Sequence, residues 1–199
     1  MPPRAGQKSL QTRVQVLLEA ERLYSAGGYD AINLQTIAVA IGVSKAALFY
    51  HFDGKQALFV AMLDAMLERY AQLIEKNAKR SFPSSEAQFL ALSLSLSSQP
   101  MFDAFRFLRS EQHHLSPEQQ GLLRQSCTAF LFHPIKQGFT QALERDEIRK
   151  VNVSAASNLF LGFCVLASSM RAMEFGALTL AGHKEMFAMF WHGFIKDRR

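Results

Sequence analysis

Cysteine is almost missing from this 199-residue sequence. Cys127 and Cys164 are the only two, far apart and in no CxxC pair. That excludes a disulfide framework and a cysteine-based zinc site, and reduced thiols in a cytoplasm are the expected state. Long apolar runs are missing too. The longest, Leu159 to Ala167, is nine residues, against the ~20 that span a bilayer. The amino terminus has no apolar signal core. No membrane association is expected, and the expected location is cytoplasmic. The six histidines are not spaced as metal ligands, and there is no HExxH, Gly-rich phosphate loop or GxSxG. No metal, no cofactor and no catalytic residue is therefore expected. Of the six prolines, Pro83, Pro100, Pro117 and Pro134 fall where the helical pattern is interrupted or begins.

Nearly half of the residues, 49%, are hydrophobic, and 20% are charged, the balance of a soluble globular chain with a proper core. The formal net charge is +5, a modest pointer to a polyanionic partner. Arg4, Lys8 and Arg13 all precede the first acidic residue, Glu19. Such an arm reads either as a phosphate or minor-groove contact or as a solvated tail.

Apolar periodicity predicts helices along most of the chain. A first helix is expected over Ser9–Ala26, with Leu10, Val14, Leu17, Ala20 and Tyr24 as its buried stripe and Gly27-Gly28 as its stop. A fourth runs over Lys55–Arg80, and Ser81–Ser85, with Pro83, breaks the chain. Ser85 to Gln88 has the form of a capping box. The stretch Leu90 to Leu96 alternates with period two, a strand signal, but the cap, length and neighbours favour helix. A short sixth helix is expected over Pro100–Arg109. Ser116-Pro117-Glu118-Gln119 marks the start of a seventh, reaching Arg145 with a kink at Pro134. Asn152 caps an eighth, to Phe175. A loop flanked by Gly176 and Gly182 precedes a ninth that ends near Lys196.

The segment Asn33 to Lys55 carries the most information. Leu34, Ile37, Ala38 and Ile41 recur as one apolar helical face, Gly42 interrupts it, and Ser44 can cap a second helix. Leu48 and Phe52 lie i, i+4 on the buried side of that second helix. Lys45, Ala46, Ala47, Phe49, Tyr50 and His51 are left facing mainly outward. A basic, aromatic and small-residue outer face on so short a helix is poor core. It is the expected form of the second, groove-reading element of a helix-turn-helix.

From Leu17 to Leu58 the sequence resembles the DNA-binding domain of the TetR family of bacterial transcriptional regulators. The resemblance is carried by Ala20, Leu23, Tyr24, Gly28-Tyr29-Asp30, Ile37-Ala38, Gly42-Val43-Ser44-Lys45, Leu48 to Phe52, and Lys55 with Ala57-Leu58. Asn33 stands where Thr or Ser is common, Ile41 where Ala is favoured, and Ala47 and Phe49 where hydroxyl-bearing residues are frequent. The expected DNA-binding set is Asn33, Gln35, Thr36, Ser44, Lys45, Ala46, Ala47, Phe49, Tyr50, His51 and Lys55. Lys45 and Lys55 are the phosphate ligands, with Asn33 bringing a helix amino end to the backbone. The recognition helix has no Arg, Asn or Gln for bidentate base reading. Discrimination then falls to Lys45, Ala46, Ala47, Gln35 and DNA shape.

The resemblance implies an all-α fold of about nine helices. A DNA-binding unit over residues 1–52 is followed by a larger helical ligand-binding and dimerisation domain over 53–199. It also implies a small-molecule pocket. The phenylalanine-rich second half suggests an apolar or aromatic effector, and the candidate lining is Phe102, Phe105, His113, Phe130, His133, Phe160, Phe163 and Cys164. Arg106 or Arg109 is placed to meet a carboxylate or to serve as ordinary surface. A palindromic operator requires two recognition helices about 34–36 Å apart, so a homodimer through the last two helices is expected. One face of that seam would be Ala155, Leu159, Gly162, Leu166 and Met170, the other Met186, Phe187, Phe190, Trp191 and Phe194. The expected function is a ligand-responsive repressor. The alternatives are an organiser or activator controlled by a protein partner, and a helical carrier or enzyme with an incidental helix-turn-helix.

Overall fold

In a computed structural model the protein is described over residues 5–99, 107–172 and 178–194. Among these residues every regular element is helical. The chain divides into two compact units: Met1–Met66 with Ala104–Leu123, and Leu67–Asp103 with Arg124–Arg199.

The first unit opens with α1, Ala5–Ala31, which bends at Gly27 and Gly28. Gly28 has φ +77° and ψ −163°, a region essentially closed to residues with a Cβ. The buried stripe of α1 differs from the expected one. Val16, Ala20 and Tyr24 are buried, whereas Leu10 and Val14 are 66% and 50% exposed. The periodicity was right but its phase was off, because Val16 competes with Val14 for the inner face. α2 (Leu34–Ala40) and α3 (Lys45–His51) come next, then α4 (Gly54–Ala78), whose residues to Met66 belong to this unit. The unit is completed by residues distant in sequence: a π-helical turn at Phe107–Glu111, a 3-10 turn at Gln112–His114, and the start of α6 (Pro117–Cys127). Ser116 and Gln119 form a reciprocal capping box there. Gln119 N donates to Ser116 Oγ at 3.2 Å, and Ser116 N donates to Gln119 Oε1 at 2.9 Å.

In the second unit α5 spans Ser85–Ser97, and its cap is Ser84, which accepts from Ala87 N at 3.2 Å. The expected cap, Ser85, is the first helical residue instead. The period-two leucines resolve into a helix. Its inner face is Phe89, Leu92, Ser93, Leu96 and Ser97, while serines at alternate positions produce the strand-like pattern. After α6 a π-helical turn, Thr128–Phe132, leads into α7, His133–Glu144, with Pro134 in its first turn. Proline's missing N–H is harmless there, which is why one expected helix becomes two. α8, Val153–Ala172, is capped by Asn152, whose Oδ1 accepts from Ser154 N at 3.0 Å and Ala155 N at 3.1 Å. α9, Leu180–His192, is capped by Thr179 and contains Gly182 in its first turn rather than in a preceding loop.

The core of the second unit is a set of rings. Phe89 lies 4.3 Å from Phe139, 5.0 Å from Phe160 and 5.4 Å from Trp191, centroid to centroid. Gly138 lets the Phe89 ring approach α7, since a Cβ there would meet Phe89 Cζ at 3.0 Å. Phe187 and Trp191 are 1% and 2% exposed inside their own chain. These two residues are therefore intramolecular core, not the free dimer face expected of an aromatic terminus. The other expected face is open: Leu159 and Leu166 on α8 are 61% and 52% exposed. The stretch Val153–Arg171 has a mean hydropathy of 1.6, long and apolar enough by those measures alone to cross a membrane. Counting only the unbroken run from Leu159 misses this. In the fold the helix buries Ala156, Phe160, Cys164 and Ala167 against α5 and α7, and turns its leucines outward.

Candidate nucleic-acid interface

The turn between α2 and α3 is built by local hydrogen bonds. Asn33 Oδ1 accepts from Gln35 N at 2.8 Å and Thr36 N at 3.1 Å, so the side chain satisfies two of the free donors of α2. At the other end Gly42 takes φ +70°. Gly42 N donates to Val39 O at 3.2 Å and Val43 N to Ala38 O at 3.0 Å, a left-handed closure of the helix. Ser44 Oγ then accepts from Ala47 N at 3.1 Å and starts α3.

This geometry fixes the faces of α3. Leu48 is fully buried and Phe52 is 3% exposed, beneath the Arg13 guanidinium, 4.7 Å from its ring centroid. Tyr50 is 83% exposed and Phe49 46%. Lys45 and Ala46 are exposed as well, and Ala47 and His51 are half-buried. Lys45 Nζ lies 5.8 Å over the Phe49 ring. Gln35 and Thr36 are exposed in the first turn of α2. Ten of the eleven residues named from sequence thus cluster around α3, its preceding turn and the start of α2. Lys55 is the eleventh and is already engaged. Its ammonium donates to Asp30 O at 3.3 Å and sits 4.4 Å over the Tyr29 ring, tying the start of α4 to the end of α1.

One residue of this unit escaped the sequence reading. Glu111, 5% exposed, reaches back more than eighty residues. Its Oε2 accepts from the Tyr24 hydroxyl at 2.6 Å and its Oε1 from Tyr29 N at 3.3 Å. A Cβ on Gly28 would collide with that same Oε1. Nearby, the His114 ring stacks on Tyr29 at 3.7 Å, and Gln56 Nε2 donates to His114 O at 2.9 Å. Burial, with the neighbouring His113 next, pushes His114 below its ordinary value of 6.5. Burial pushes the Tyr29 hydroxyl up. A glycine followed by tyrosine, and an acid far along the chain, are the only sequence traces of this latch.

The expected effector residues are divided between the two units and differ in exposure among the described residues. His113 is exposed in the first unit. Phe130 and His133 are exposed in the second, while Phe160, Phe163 and Cys164 are buried in its ring core. Phe102, Phe105 and Arg106 lie outside the described residues, as does the side chain of Arg109. A cavity of about 100 Å³ lies elsewhere in the second unit, among Asn77, Gln88, Phe89, Ile135, Gly138 and Gln141. That is below the ~300 Å³ at which small-molecule pockets begin. Burial raises the Cys127 thiol to about 11 and Cys164 further, so neither is a thiolate at neutral pH.

Residues 16–62 match the model of the bacterial regulatory proteins, tetR family. The chain is 32% identical over 73 residues to the HTH-type transcriptional repressor AcnR of Corynebacterium glutamicum, a match covering 37% of this chain and 39% of that one. It is also 32% identical over 78 residues to IcaR of Staphylococcus aureus, the negative transcriptional regulator of the biofilm operon icaADBC, over 38% and 42% of the two chains. The likeness thus spans about two fifths of these repressors' own length. The fold likeness is longer. AibR, solved in complex with isovaleryl coenzyme A and operator DNA, superposes with a TM-score of 0.70 at 18% identity, covering 89% of this chain and 97% of that one. Residues 16–62 thus carry a helix-turn-helix domain of the tetR type, and the fold likeness extends along most of the chain.

Proposed function

We propose that this protein is a DNA-binding transcriptional repressor that leaves a palindromic operator when a small apolar or aromatic molecule binds. The observation that carries the reading is the outer face of α3. It is a seven-residue helix, too short to be stable alone, held by the Ser44 side-chain cap and two buried anchors, with Tyr50 83% exposed in its last turn. Tyr50 and Phe49 are large, apolar-bodied and solvent-facing. Lys45, beside Phe49, supplies the cation that phosphate requires. Asn33, Gln35, Thr36, Ser44, Ala46, Ala47 and His51 complete the contact surface, and Lys55 contributes through whichever donors its bond to Asp30 leaves. The relatives AcnR and IcaR, both repressors by name, support repression over activation.

The operator is a palindrome read by a homodimer, since one helix of this size makes too few contacts for specific binding. The face on offer is α8, where Ala155, Leu159, Gly162 and Leu166 recur on one exposed stripe. Small residues there allow close helix approach, and the leucines supply the apolar area. The effector shifts the population of dimers between DNA-competent and incompetent arrangements by binding one of them better. AibR, solved with both an acyl coenzyme A and operator DNA, supports an effector in this fold. Selection of bound duplexes from a random pool tests the reading. Recovery of an inverted repeat, bound by a protein dimer and lost on scrambling one half-site, is the expected result. Recovery of no shared motif would reject it.

A further inference from the structure

The core of the second unit is ring-lined, and buried polar atoms collect at one of its corners, where α5 ends, α8 ends and α9 begins. Three polar atoms are buried there with no hydrogen-bond partner: Ser97 Oγ, Arg171 Nε and His183 Nδ1. Two hydrogen bonds draw the corner together. Ser168 Oγ donates to Gln99 O at 2.7 Å and Leu178 N to Met170 O at 3.3 Å. Ser97 lies two residues before the first of these ties, and Arg171 directly succeeds Met170. His183 is fully buried and Ser97 is 2% exposed. Buried polar atoms are nearly always paired, and each orphan costs free energy. Three of them on three converging helices indicate a missing partner.

The chemistry of that partner is set by the proton positions. Ser93 Oγ donates its one proton to Leu90 O at 2.8 Å. It must therefore accept from His183 Nε2, 2.9 Å away. Nε2 carries the ring proton and Nδ1 presents a bare lone pair. The edge of Phe163 lies against the same ring, centroids 5.4 Å apart. The site thus offers two N–H or O–H donors, one acceptor that can be protonated, one fixed positive charge and an aromatic wall.

We propose that this corner binds the carboxyl group of a small aryl carboxylic acid. Ser97 Oγ–H and Arg171 Nε–H donate to the two carboxylate oxygens. His183 Nδ1 takes one proton from solvent and donates it to the carboxylate, while Nε2–H stays on Ser93. The aryl body lies against Phe163. Burial and then the Arg171 charge push His183 below its ordinary value; a carboxylate beside the ring acts in the opposite direction. Of the other elements, α5 contributes only hydroxyls here, and the neighbouring Lys184 and Glu185 of α9 face solvent. The inference rests on the effector-responsive reading above and gives the effector a chemical class.

The test is titration calorimetry on the full chain at neutral pH. The probes are benzoate, phenylacetate and 4-phenylbutyrate, each beside its methyl ester, in two buffers of different ionisation heat. The expected result is binding of at least one acid with uptake of about one proton, and an ester at least about tenfold weaker. Ser97→Ala and His183→Gln should each lose about tenfold in affinity, the scale of one charge-assisted hydrogen bond. His183→Gln keeps a donor for Ser93. Ser97→Ala removes a hydroxyl that bonds nothing, so its melting temperature without ligand should not fall, as it would if the hydroxyl were structural. Binding of no acid at millimolar concentration, binding without proton uptake, unchanged affinity in both variants, or a destabilised Ser97→Ala would each overturn the proposal. Operator binding is measured on the same preparations. Intact DNA binding with no acid site rejects this inference alone, and failure of the wild-type chain to bind any operator rejects the regulator reading.

Discussion

Gly28→Ala isolates the latch between Glu111 and the bend of α1. Two costs are separable. The first is backbone strain: φ +77° with ψ −163° is a glycine-only region, and holding alanine there costs about 1–3 kcal/mol. The second is displacement of Glu111, because the new Cβ collides with its Oε1. That breaks the bonds from Tyr24 and Tyr29, and hydrogen bonds to a charged group contribute about 1.5–3 kcal/mol each. The sum is about 4 kcal/mol or more, a large part of the 5–15 kcal/mol of a typical domain. In a Glu111→Ala background only the strain remains, so Gly28→Ala should cost about 1–3 kcal/mol. Urea denaturation of the four proteins of this cycle gives the coupling directly, expected at about 3 kcal/mol or more from the two lost bonds. Additive single costs, with coupling below about 0.5 kcal/mol, would refute the latch. So would a Glu111→Ala chain that is as stable as the parent.

Leu159→Glu and Leu166→Glu on α8 should give folded monomers by sedimentation, with melting close to the parent, whereas Trp191→Glu should unfold the second unit. Dimers that survive both leucine changes would remove α8 from the seam. His114 and His183 are both held below 6.5 by burial. The unfolded chain therefore binds more protons, and stability should fall as pH drops below about 6.5, being fully present above it. His183→Gln should flatten part of that slope, and an unchanged slope would contradict the burial argument. Lys55→Ala should weaken both DNA binding and folding, by about 1 kcal/mol for the lost bond to Asp30; an effect on DNA alone would show that bond to be idle.

Much of the amino-terminal unit was legible because its signals are local. Asn33, Gly42 and Ser44 act within three or four residues of themselves, and Leu48 and Phe52 announce their face by spacing. The same rule carried the caps at Ser116 and Asn152 and the break at Pro134. What the sequence hid depends on distance. Glu111 joins Tyr24 across the chain, and no period or motif marks it. The phase of α1 failed because Val14 and Val16 are equally apolar and only tertiary contact selects one. Trp191 was misread as interface because a ring at a chain end carries no mark of which side covers it. The effector lining is hidden in the same way: Phe130 and Phe163 are alike in sequence, yet one is exposed and the other buried.

The central claim is that the outer face of α3 reads DNA. Its most direct test is fluorescence anisotropy of a selected palindromic duplex, titrated with parent, Lys45→Ala and Tyr50→Phe chains between about 50 and about 200 mM salt. Neither substitution touches the core, so both variants should melt with the parent. Lys45→Ala should lower the slope of log affinity against log salt by about one. Tyr50→Phe should weaken binding by about 1 kcal/mol, the scale of one hydrogen bond. Parent-like affinity and slope in both variants, or equal binding of a scrambled duplex, would contradict the account.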